Sequence, residues 1–302
     1  MHPVVADDVK RAYGSTAALD GVSVSIERGE VFALVGPNGA GKTTFVRCLT
    51  GTTTPDRGSV RLFGENPSSI DRTRIGLLPQ AFSPQDRLTP LELLEYYAGL
   101  YEEARDPGDV LEDVGIDPDL DTWYENLSGG QRRRTAVAAT LINDPELLFL
   151  DEPTTGIDPE GRIALWDLFG ELAGNGTTIV LTTHDMSEAE RLADRVGLLS
   201  AGKLVETGKP RELVEAFGGD SRLVVSTDAD PSILSAVGFE VENGGDELVV
   251  RDITPEEIRV VVDAFEANGS SFEALSWREP SLEDAYLALA SEDGTRRTEV
   301  SR

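Results

Sequence analysis

Apolar side chains follow two patterns in the first two thirds of the chain, and each pattern predicts a different kind of β-strand. Residues 22–26 alternate apolar and polar side chains, which is typical of a strand with one buried face. Continuous apolar runs, as expected for strands covered on both faces, occupy residues 31–35, 147–150 and 178–181. Helix starts lie between these runs, for example at Asp158, where a capping side chain precedes a first-turn proline. Buried strands that alternate with helices predict a mainly parallel sheet wrapped by helices.

The pattern changes after two consecutive glycines, Gly218 and Gly219, which indicate a domain boundary. Beyond them the predicted order of elements is β-α-β-β-α-β, over residues 223–226, 231–237, 239–242, 248–251, 254–267 and 272–277. This order is typical of a small α+β domain of the ferredoxin-like, split βαβ kind. We therefore predict a first domain over residues 4–218, a C-terminal accessory domain over 221–290 and a flexible polar tail over 291–302.

No stretch of the sequence approaches the run of about 18 apolar residues that a membrane-spanning helix needs. The N-terminus also lacks the charged-then-apolar pattern of a secretion signal. We therefore expect the chain to stay in the cytoplasm and to reach a membrane only through a partner. A single cysteine, Cys48, excludes a disulfide framework and a cysteine-based metal site.

The chain is strongly acidic, with 55 acidic and 27 basic residues and a formal net charge of −28. The acidity is spread along the chain, because residues up to 210 contain 34 acids and 19 bases and the remainder contains 21 and 8. A field of this sign repels DNA, RNA and anionic lipid. We therefore expect no nucleic-acid partner.

The basic residues are nearly all arginine, and lysine occurs only at Lys10, Lys42, Lys203 and Lys209. Acid excess with few lysines suggests a halophile-like surface, because molar salt screens the self-repulsion. We expect the melting temperature, followed by circular dichroism, to rise as KCl increases to molar concentration. Each kcal/mol of relieved repulsion should add about 2–4 °C in a protein of this size. Equal stability at low and high KCl would contradict the hypothesis and leave a GC-rich genome as the explanation for the arginines.

A glycine-rich loop lies between a predicted strand and a predicted helix. It comprises Gly36, Pro37, Asn38, Gly39, Ala40, Gly41, Lys42 and Thr43, followed by Thr44. Glycines let backbone amides turn towards phosphates, and the helix N-terminus adds a favourable field. Lys42 is then expected to reach the β- and γ-phosphates, and the Thr43 hydroxyl to bind Mg²⁺. The loop predicts nucleotide binding, but by itself does not separate ATPases, GTPases and kinases.

Two adjacent carboxylates, Asp151 and Glu152, end the apolar run 147–150. Asp151 is suited to hold Mg²⁺, and Glu152 is suited to polarise a water molecule for in-line attack on a phosphate. Alone, such a pair is more often a helix cap after a core strand. Together with the phosphate loop, the pair predicts hydrolysis of a nucleoside triphosphate.

A second glycine motif opens a helix before the carboxylates and consists of Leu127, Ser128, Gly129, Gly130 and Gln131. With this motif the chain resembles the nucleotide-binding subunit of an ATP-binding-cassette (ABC) transporter. The resemblance implies an α/β P-loop NTPase of the ABC type, with a mainly parallel sheet core, antiparallel strands and a helical subdomain at about 85–135. It also implies that the motif of one subunit closes over the ATP of another, in a homodimer or with a paired ABC ATPase subunit. Exposed amides at a helix N-terminus suit such an anion.

Four further positions match functional residues of that family. The resemblance implies that Gln80 senses Mg²⁺ and the attacking water and faces the membrane partner, and that His184 contacts the γ-phosphate. It implies that Asp158 communicates across the dimer, a role compatible with capping the following helix. Tyr13 matches the aromatic residue that stacks on adenine, although partly exposed packing explains a single tyrosine equally well. Ile157 stands where the family typically has leucine.

The C-terminal residues 279–287 resemble the ending of exporter ATPases of the daunorubicin-resistance type. Three consecutive arginines, Arg132, Arg133 and Arg134, also suit that branch, although a solvated helix face is the simpler interpretation of the triplet. The resemblance implies an ATP hydrolase that uses ATP and Mg²⁺ to drive a separate integral membrane permease, as an exporter of a drug, a lipid or a similar molecule. The subunit would then lie on the inner face of the cell membrane through its permease.

The main alternative is a soluble ABC ATPase that acts on the ribosome or on DNA without a permease. Repair members of the family carry a long coiled coil inside the cassette, and translation members usually carry two cassettes. The sequence contains neither feature, and its acidity argues against nucleic acid. A GTPase or small-molecule kinase is a third class, disfavoured because no guanine-specifying Asn-Lys-x-Asp occurs. The sequence does not identify the cargo, because cargo contacts belong to the permease.

Overall fold

The structure is a computed structural model that describes the backbone of residues 2–300 and the side chains of residues 2–291. Contacts between residues divide the chain into two units, Met1–Pro210 and Arg211–Arg302. The sequence places the boundary later, at residue 218, after one further helix.

The first unit contains nine strands and six α-helices among its described residues, besides two short 3-10 helices at Arg72–Arg74 and Tyr124–Asn126. In chain order they are β1 (Val4–Tyr13), β2 (Thr16–Ile26), β3 (Val31–Val35), α1 (Lys42–Leu49), β4 (Arg57–Leu62), β5 (Ile75–Leu78), α2 (Pro90–Ala98), α3 (Pro107–Asp113), α4 (Gly129–Leu141), β6 (Leu147–Asp151), α5 (Pro159–Gly174), β7 (Thr178–Thr183), α6 (Met186–Leu192), β8 (Arg195–Ser200) and β9 (Lys203–Gly208).

A six-stranded sheet with the order β5-β6-β7-β3-β8-β9 forms the centre of the first unit. Neighbouring strands pair in parallel from β5 to β8, and β9 pairs antiparallel with β8. All residues of β3, β6 and β7 are buried, which confirms the prediction that the continuous apolar runs are covered on both faces. The predicted, mainly parallel sheet is therefore confirmed. Its parallel strands bring their carboxyl ends to one edge of the sheet.

A three-stranded antiparallel sheet, β2-β1-β4, shares a core with helix α1 and the central sheet. Residues 22–26 of β2 alternate buried and more exposed side chains, as their apolar pattern predicts. Fully buried aromatic rings join the layers, namely Phe32, Phe45 and Phe149. This packing holds the start of α1 against the sheet edge where β3 and β6 end.

Helices α2 and α3 and the first part of α4 occupy the region of the predicted helical subdomain. Thr89 caps the N-terminus of helix α2, because its side chain accepts from the Glu92 amide while the Glu92 carboxylate accepts from the Thr89 amide. A small apolar cluster of Leu93, Tyr124 and Leu127 holds this region together. Within the described residues, no helix has both the length and the apolar character required to cross a bilayer.

Helix α7 (Pro210–Phe217) leads into the second unit. The elements that follow are β10 (Arg222–Ser226), α8 (Ser232–Ser235), β11 (Val241–Asn243), β12 (Glu247–Arg251), α9 (Ile258–Ala267), β13 (Ala274–Arg278) and α10 (Leu282–Val300). The sheet has the order β11-β12-β10-β13 with every neighbouring pair antiparallel. Residues 301 and 302 and the side chains of residues 292–300 lie outside the described residues, so the flexible tail stays a prediction.

Candidate nucleotide-binding and hydrolysis site

The glycine-rich loop joins the end of β3 to the start of α1, and its glycines are sterically required. Gly39 and Gly41 have φ angles of 83° and 112°, in the left-handed region that side chains disfavour. A Cβ atom at Gly41 would also collide with the carbonyl oxygen of Ala18, and one at Gly36 with that of Leu199. The loop therefore packs tightly against β2 and β8, which leaves its inner side to the amides at the start of α1.

Lys42 is buried at the centre of this loop. Its Nζ donates to the carbonyl oxygens of Gly36 at 2.6 Å and Pro37 at 3.2 Å, and it lies 3.8 Å from Glu152 Oε1. Burial lowers the pKa of the Lys42 ammonium, and the carboxylates of Glu152 and Asp151 oppose this shift. A desolvated ammonium in a cradle of backbone dipoles is suited to bind a phosphate oxygen.

Asp151 ends β6 with a buried carboxylate. Its Oδ1 lies 3.4 Å from Thr43 Oγ1 and also accepts a hydrogen bond from the Thr182 hydroxyl on β7. Carboxylate and hydroxyl oxygens are the hard ligands that Mg²⁺ takes in proteins. Two of the three residues predicted to hold the metal, Thr43 and Asp151, therefore lie together and fit it chemically, and the third is Gln80.

Glu152, immediately after β6, has a backbone φ of 52°, an uncommon value for a residue with a side chain. Its amide donates to the Thr182 carbonyl at 3.1 Å. Oε1 lies 3.3 Å from His184 Nδ1 and 3.8 Å from Lys42 Nζ. The other carboxylate oxygen accepts from the Thr155 hydroxyl at 3.3 Å. The structure thus brings together Lys42, Glu152 and His184, which were each predicted to act at the reacting phosphate.

A cavity of about 240 Å³ lies over the loop. It is lined by Ala18, Asn38, Gly39, Gly41, Lys42, Thr43, Thr44, Gln80 and Glu152. The structure therefore unites the loop, Gln80 and Glu152 in one space, although they are distant in sequence. Sequence reasoning missed Ala18, whose side chain carries no functional atom and so leaves no chemical signal.

Tyr13 lies at the end of β1 and is not among the residues that line this cavity. Tyr13 is 46% exposed, and the guanidinium carbon of Arg11 lies 5.0 Å from the centroid of its ring. Asp56 holds that guanidinium at 2.6 Å. The stacking of Tyr13 on adenine stays a prediction.

The motif of residues 127–131 forms the N-terminus of α4 away from the cavity. The Ser128 hydroxyl accepts from the Gln131 amide at 3.2 Å, and the Gln131 side-chain oxygen accepts from the Ser128 amide at 2.9 Å. Leu127 is buried, whereas Gly129 is exposed. None of these residues lines the cavity over the phosphate loop. Their action on another subunit's ATP stays a prediction.

Asp158 caps helix α5, because its Oδ1 accepts from the Gly161 amide at 2.9 Å. This hydrogen bond lowers the pKa of the Asp158 carboxyl. A Cβ at Gly130 would lie 3.6 Å from Asp158 Oδ2, so the two motifs are neighbours within the chain. The predicted capping role is confirmed, and communication between subunits stays a prediction.

The interpretation of the arginine triplet as a solvated helix face is wrong for Arg133. Its guanidinium turns inward and binds backbone carbonyls at the ends of β5 and β6. Arg134 donates to the carbonyls of Val114 and Gly115, whereas Arg132 is exposed. Three consecutive helical residues point in directions about 100° apart, so they cannot all face solvent on a packed helix. That periodicity is the signal that could have identified Arg133 as an arginine turned towards the protein.

Glu188 on α6 was not predicted either. Its buried Oε1 accepts from the Thr154 hydroxyl at 2.6 Å and from Trp166 Nε1 at 3.1 Å. These bonds tie the loop after Glu152 to the helix after His184. The sequence offers no signal for this contact, because its three members come from separate elements.

Comparison with known proteins identifies the family. Residues 19–155 match the family described as ABC transporter. The chain is also 36% identical over 305 residues to the daunorubicin resistance ATP-binding protein DrrA3 of Streptomyces coeruleorubidus, with 96% of each chain covered. The chain belongs to the ABC transporter family of ATP-binding proteins. Over 96% of its length, this chain is also 36% identical to the Nod factor export ATP-binding protein I of Rhizobium meliloti, of which 90% is covered.

Solved ABC cassettes share the fold of this ABC ATP-binding protein. A dimeric ATP-binding cassette in a post-hydrolysis state, bound to ADP and phosphate, matches with a TM-score of 0.62 and 26% identity. The match covers 68% of this chain and 98% of that cassette. The predicted fold class, an α/β P-loop NTPase of the ABC type, is therefore confirmed.

Proposed function

We propose that this ABC ATP-binding protein hydrolyses ATP in a dimer and that hydrolysis drives a separate membrane permease that works as an exporter. The observation that carries the proposal is the position of the Glu152 carboxylate, beside both Lys42 and His184 in the cavity over the phosphate loop. Relatives named for daunorubicin resistance and Nod factor export support the exporter part. A drug, a lipid or a similar molecule is the proposed class of cargo.

The chain's own residues divide the work of hydrolysis. Lys42 and the amides at the start of α1 bind and orient the phosphates. Thr43, Asp151 and Gln80 would hold Mg²⁺, which when bound neutralises charge on the phosphate oxygens. Glu152 orients the attacking water and accepts its proton at a carboxylate oxygen, and His184, 3.3 Å from Oε1, helps to hold that oxygen.

A second subunit completes each site in this proposal. Residues 127–131 line no part of their own chain's cavity, but they present amides at the N-terminus of a thirteen-residue helix. Closure over the ATP of another chain gives these amides an anion to bind. The partner is a second copy or a paired ABC ATPase subunit, and the related dimeric cassette supports this arrangement. Asp158, next to Gly130, then lies where the two chains meet.

The proposal places the protein in the cytoplasm, peripheral on the inner face of the cell membrane through its permease.

The proposed function is tested in two steps. The purified chain is expected to hydrolyse ATP with Mg²⁺ and to lose this activity in EDTA, since the phosphate charges are then not neutralised. Tagged protein recovered from detergent-solubilised membranes is expected to bring down a protein with several membrane-spanning helices. The control is the Lys42→Ala chain in the hydrolysis assay. Absence of Mg²⁺-dependent hydrolysis would overturn the enzyme assignment, and recovery of ribosomes or DNA instead of a permease would favour the soluble ABC ATPase.

A further inference from the structure

Arg133 on α4 forms an unusual set of contacts, because one guanidinium binds four backbone carbonyl oxygens from two separate segments. The acceptors are Pro79 at 3.2 Å, Glu152 at 2.8 Å, Pro153 at 3.2 Å and Asp151. Four of the five N–H groups of the planar guanidinium are thereby used. Pro79 directly precedes Gln80, and the other three acceptors surround the hydrolytic carboxylates.

These carbonyls belong to a backbone that needs support. Glu152 has a φ of 52°, and such values persist only where the surroundings hold them. Hydrogen bonds from a charged donor are stronger than those between neutral groups. Nη2 of Arg133 donates to the carbonyls of Asp151 and Glu152, which flank the α-carbon of Glu152, whereas Nη1 donates to the carbonyl of Pro79, the residue before Gln80. One side chain therefore spans the ends of β5 and β6.

We propose that Arg133 is a positioning residue that fixes the backbone of Glu152 and the segment before Gln80 relative to helix α4, which Ser128 caps. This inference about Arg133 rests on the proposed function, in which Glu152 activates water and Ser128 faces another subunit's ATP. Arg133 lies on the same helix as the motif of residues 127–131, so movement of that helix moves the guanidinium and the carbonyls bound to it. The hydrolytic carboxylate of a chain is thus coupled to that chain's own contact with its partner.

The neighbouring arginine provides a matched control. Arg134 also donates to backbone carbonyls, those of Val114 and Gly115, and it lies on the same helix. Its acceptors are at the end of α3 and contain none of the cavity residues. Arg134→Gln removes the same charge and the same kind of hydrogen bond without touching Glu152.

The test compares kcat, KM for ATP and melting temperature for Arg133→Gln, Arg133→Lys and Arg134→Gln in the full chain. A misplacement of about 1 Å at a reacting group costs about 10²-fold in rate. We expect Arg133→Gln and Arg133→Lys each to lower kcat by about 10–100-fold with KM changed less than about threefold, because Lys42 and the loop still bind ATP. Lysine keeps the charge but lacks the fork that reaches four carbonyls. Arg134→Gln should lower the melting temperature and leave kcat within about twofold at a temperature where it is folded.

A second measurement separates action through Glu152 from general damage. In single-turnover assays, adding Arg133→Gln to Glu152→Gln should slow hydrolysis far less than it slows the wild type, because residues that act as a unit are not additive. The inference is overturned if Arg133→Lys has a normal kcat, or if the Arg133 variants change only the KM for ATP. It is also overturned if the effects of Arg133→Gln and Glu152→Gln on the rate are fully additive. If Arg133→Gln does not fold, Arg133→Lys decides. If hydrolysis by the wild type depends on Glu152 but not on Arg133, the inference fails and the proposed function remains. If the wild type does not hydrolyse ATP, the proposed function itself is wrong.

Discussion

Replacement of Glu152 by glutamine is expected to lower the rate of ATP hydrolysis by about 10²–10⁴-fold, the usual contribution of a general base. Glutamine keeps the shape of the side chain but cannot accept the proton of the attacking water. ATP binding should remain, because Lys42 and the loop are unchanged and a negative charge is removed 3.8 Å from Lys42 Nζ. Steady-state hydrolysis and equilibrium binding of labelled ATP measure the two effects separately.

The same variant should accumulate as an ATP-bound dimer, visible by size-exclusion chromatography with ATP and Mg²⁺, because hydrolysis no longer resets the complex. Glu102→Gln is the matched control, since Glu102 is exposed and the change removes the same charge. This control should hydrolyse ATP at the wild-type rate. If Glu152→Gln hydrolysed ATP at the normal rate, another group would have to be the base. The position of Glu152 beside Lys42 and His184 would then no longer support the proposed function.

Replacement of Gly129 by aspartate is expected to reduce hydrolysis by about 10²-fold, similar to the loss of one donor to a reacting anion. The side chain fits within the chain, because a Cβ atom at this position would lie 3.8 Å from the Gly156 carbonyl oxygen, an ordinary contact distance. An acid in the first turn also stabilises a helix. The aspartate would, however, place a negative charge where the proposal puts the γ-phosphate of another subunit. ATP binding to a single chain should be unchanged. A titration with ATP measures this at a protein concentration too low for the chains to dimerise.

A mixing experiment tests whether the site is shared between chains. Gly129→Asn has nearly the same shape without the charge and should retain more activity than Gly129→Asp. Chains with Lys42→Ala and chains with Gly129→Asp should each be inactive, but an equal mixture should recover about a quarter of the wild-type sites through random pairing in two-fold dimers. Full activity of Gly129→Asp alone would show that hydrolysis does not need this motif of the partner chain, and two inactive variants that recover no activity on mixing would contradict the shared site.

The secondary structure of the first unit was predictable because its signals are local. Continuous apolar runs at β3, β6 and β7 are the consequence of burial on both faces, and the alternation in β2 is that of burial on one face. The strand order β5-β6-β7-β3-β8-β9 was not predictable in this way, since pairing depends on residues far apart in the chain.

Much of the candidate site was also predictable, because many of its functional side chains belong to residues that are adjacent in the sequence. The loop from Gly36 to Thr43 and the pair Asp151 and Glu152 each combine residue types whose spacing suits phosphate or Mg²⁺. The contacts of Arg133 and Glu188 were not predictable. A hydrogen bond to a backbone carbonyl does not depend on the acceptor's residue type, and the partners of Glu188 come from other elements.

By itself, therefore, the sequence determined that a glycine loop joins a strand to a helix in a pattern that predicts nucleotide binding, and that two carboxylates follow a buried strand. These are local properties of backbone conformation and side-chain chemistry. Only the tertiary structure decided that Glu152 lies between Lys42 and His184 and that Arg133 joins the ends of β5 and β6. The physical reason is the parallel sheet, which brings the carboxyl ends of distant strands to one edge, where a few ångströms separate groups that are more than a hundred residues apart.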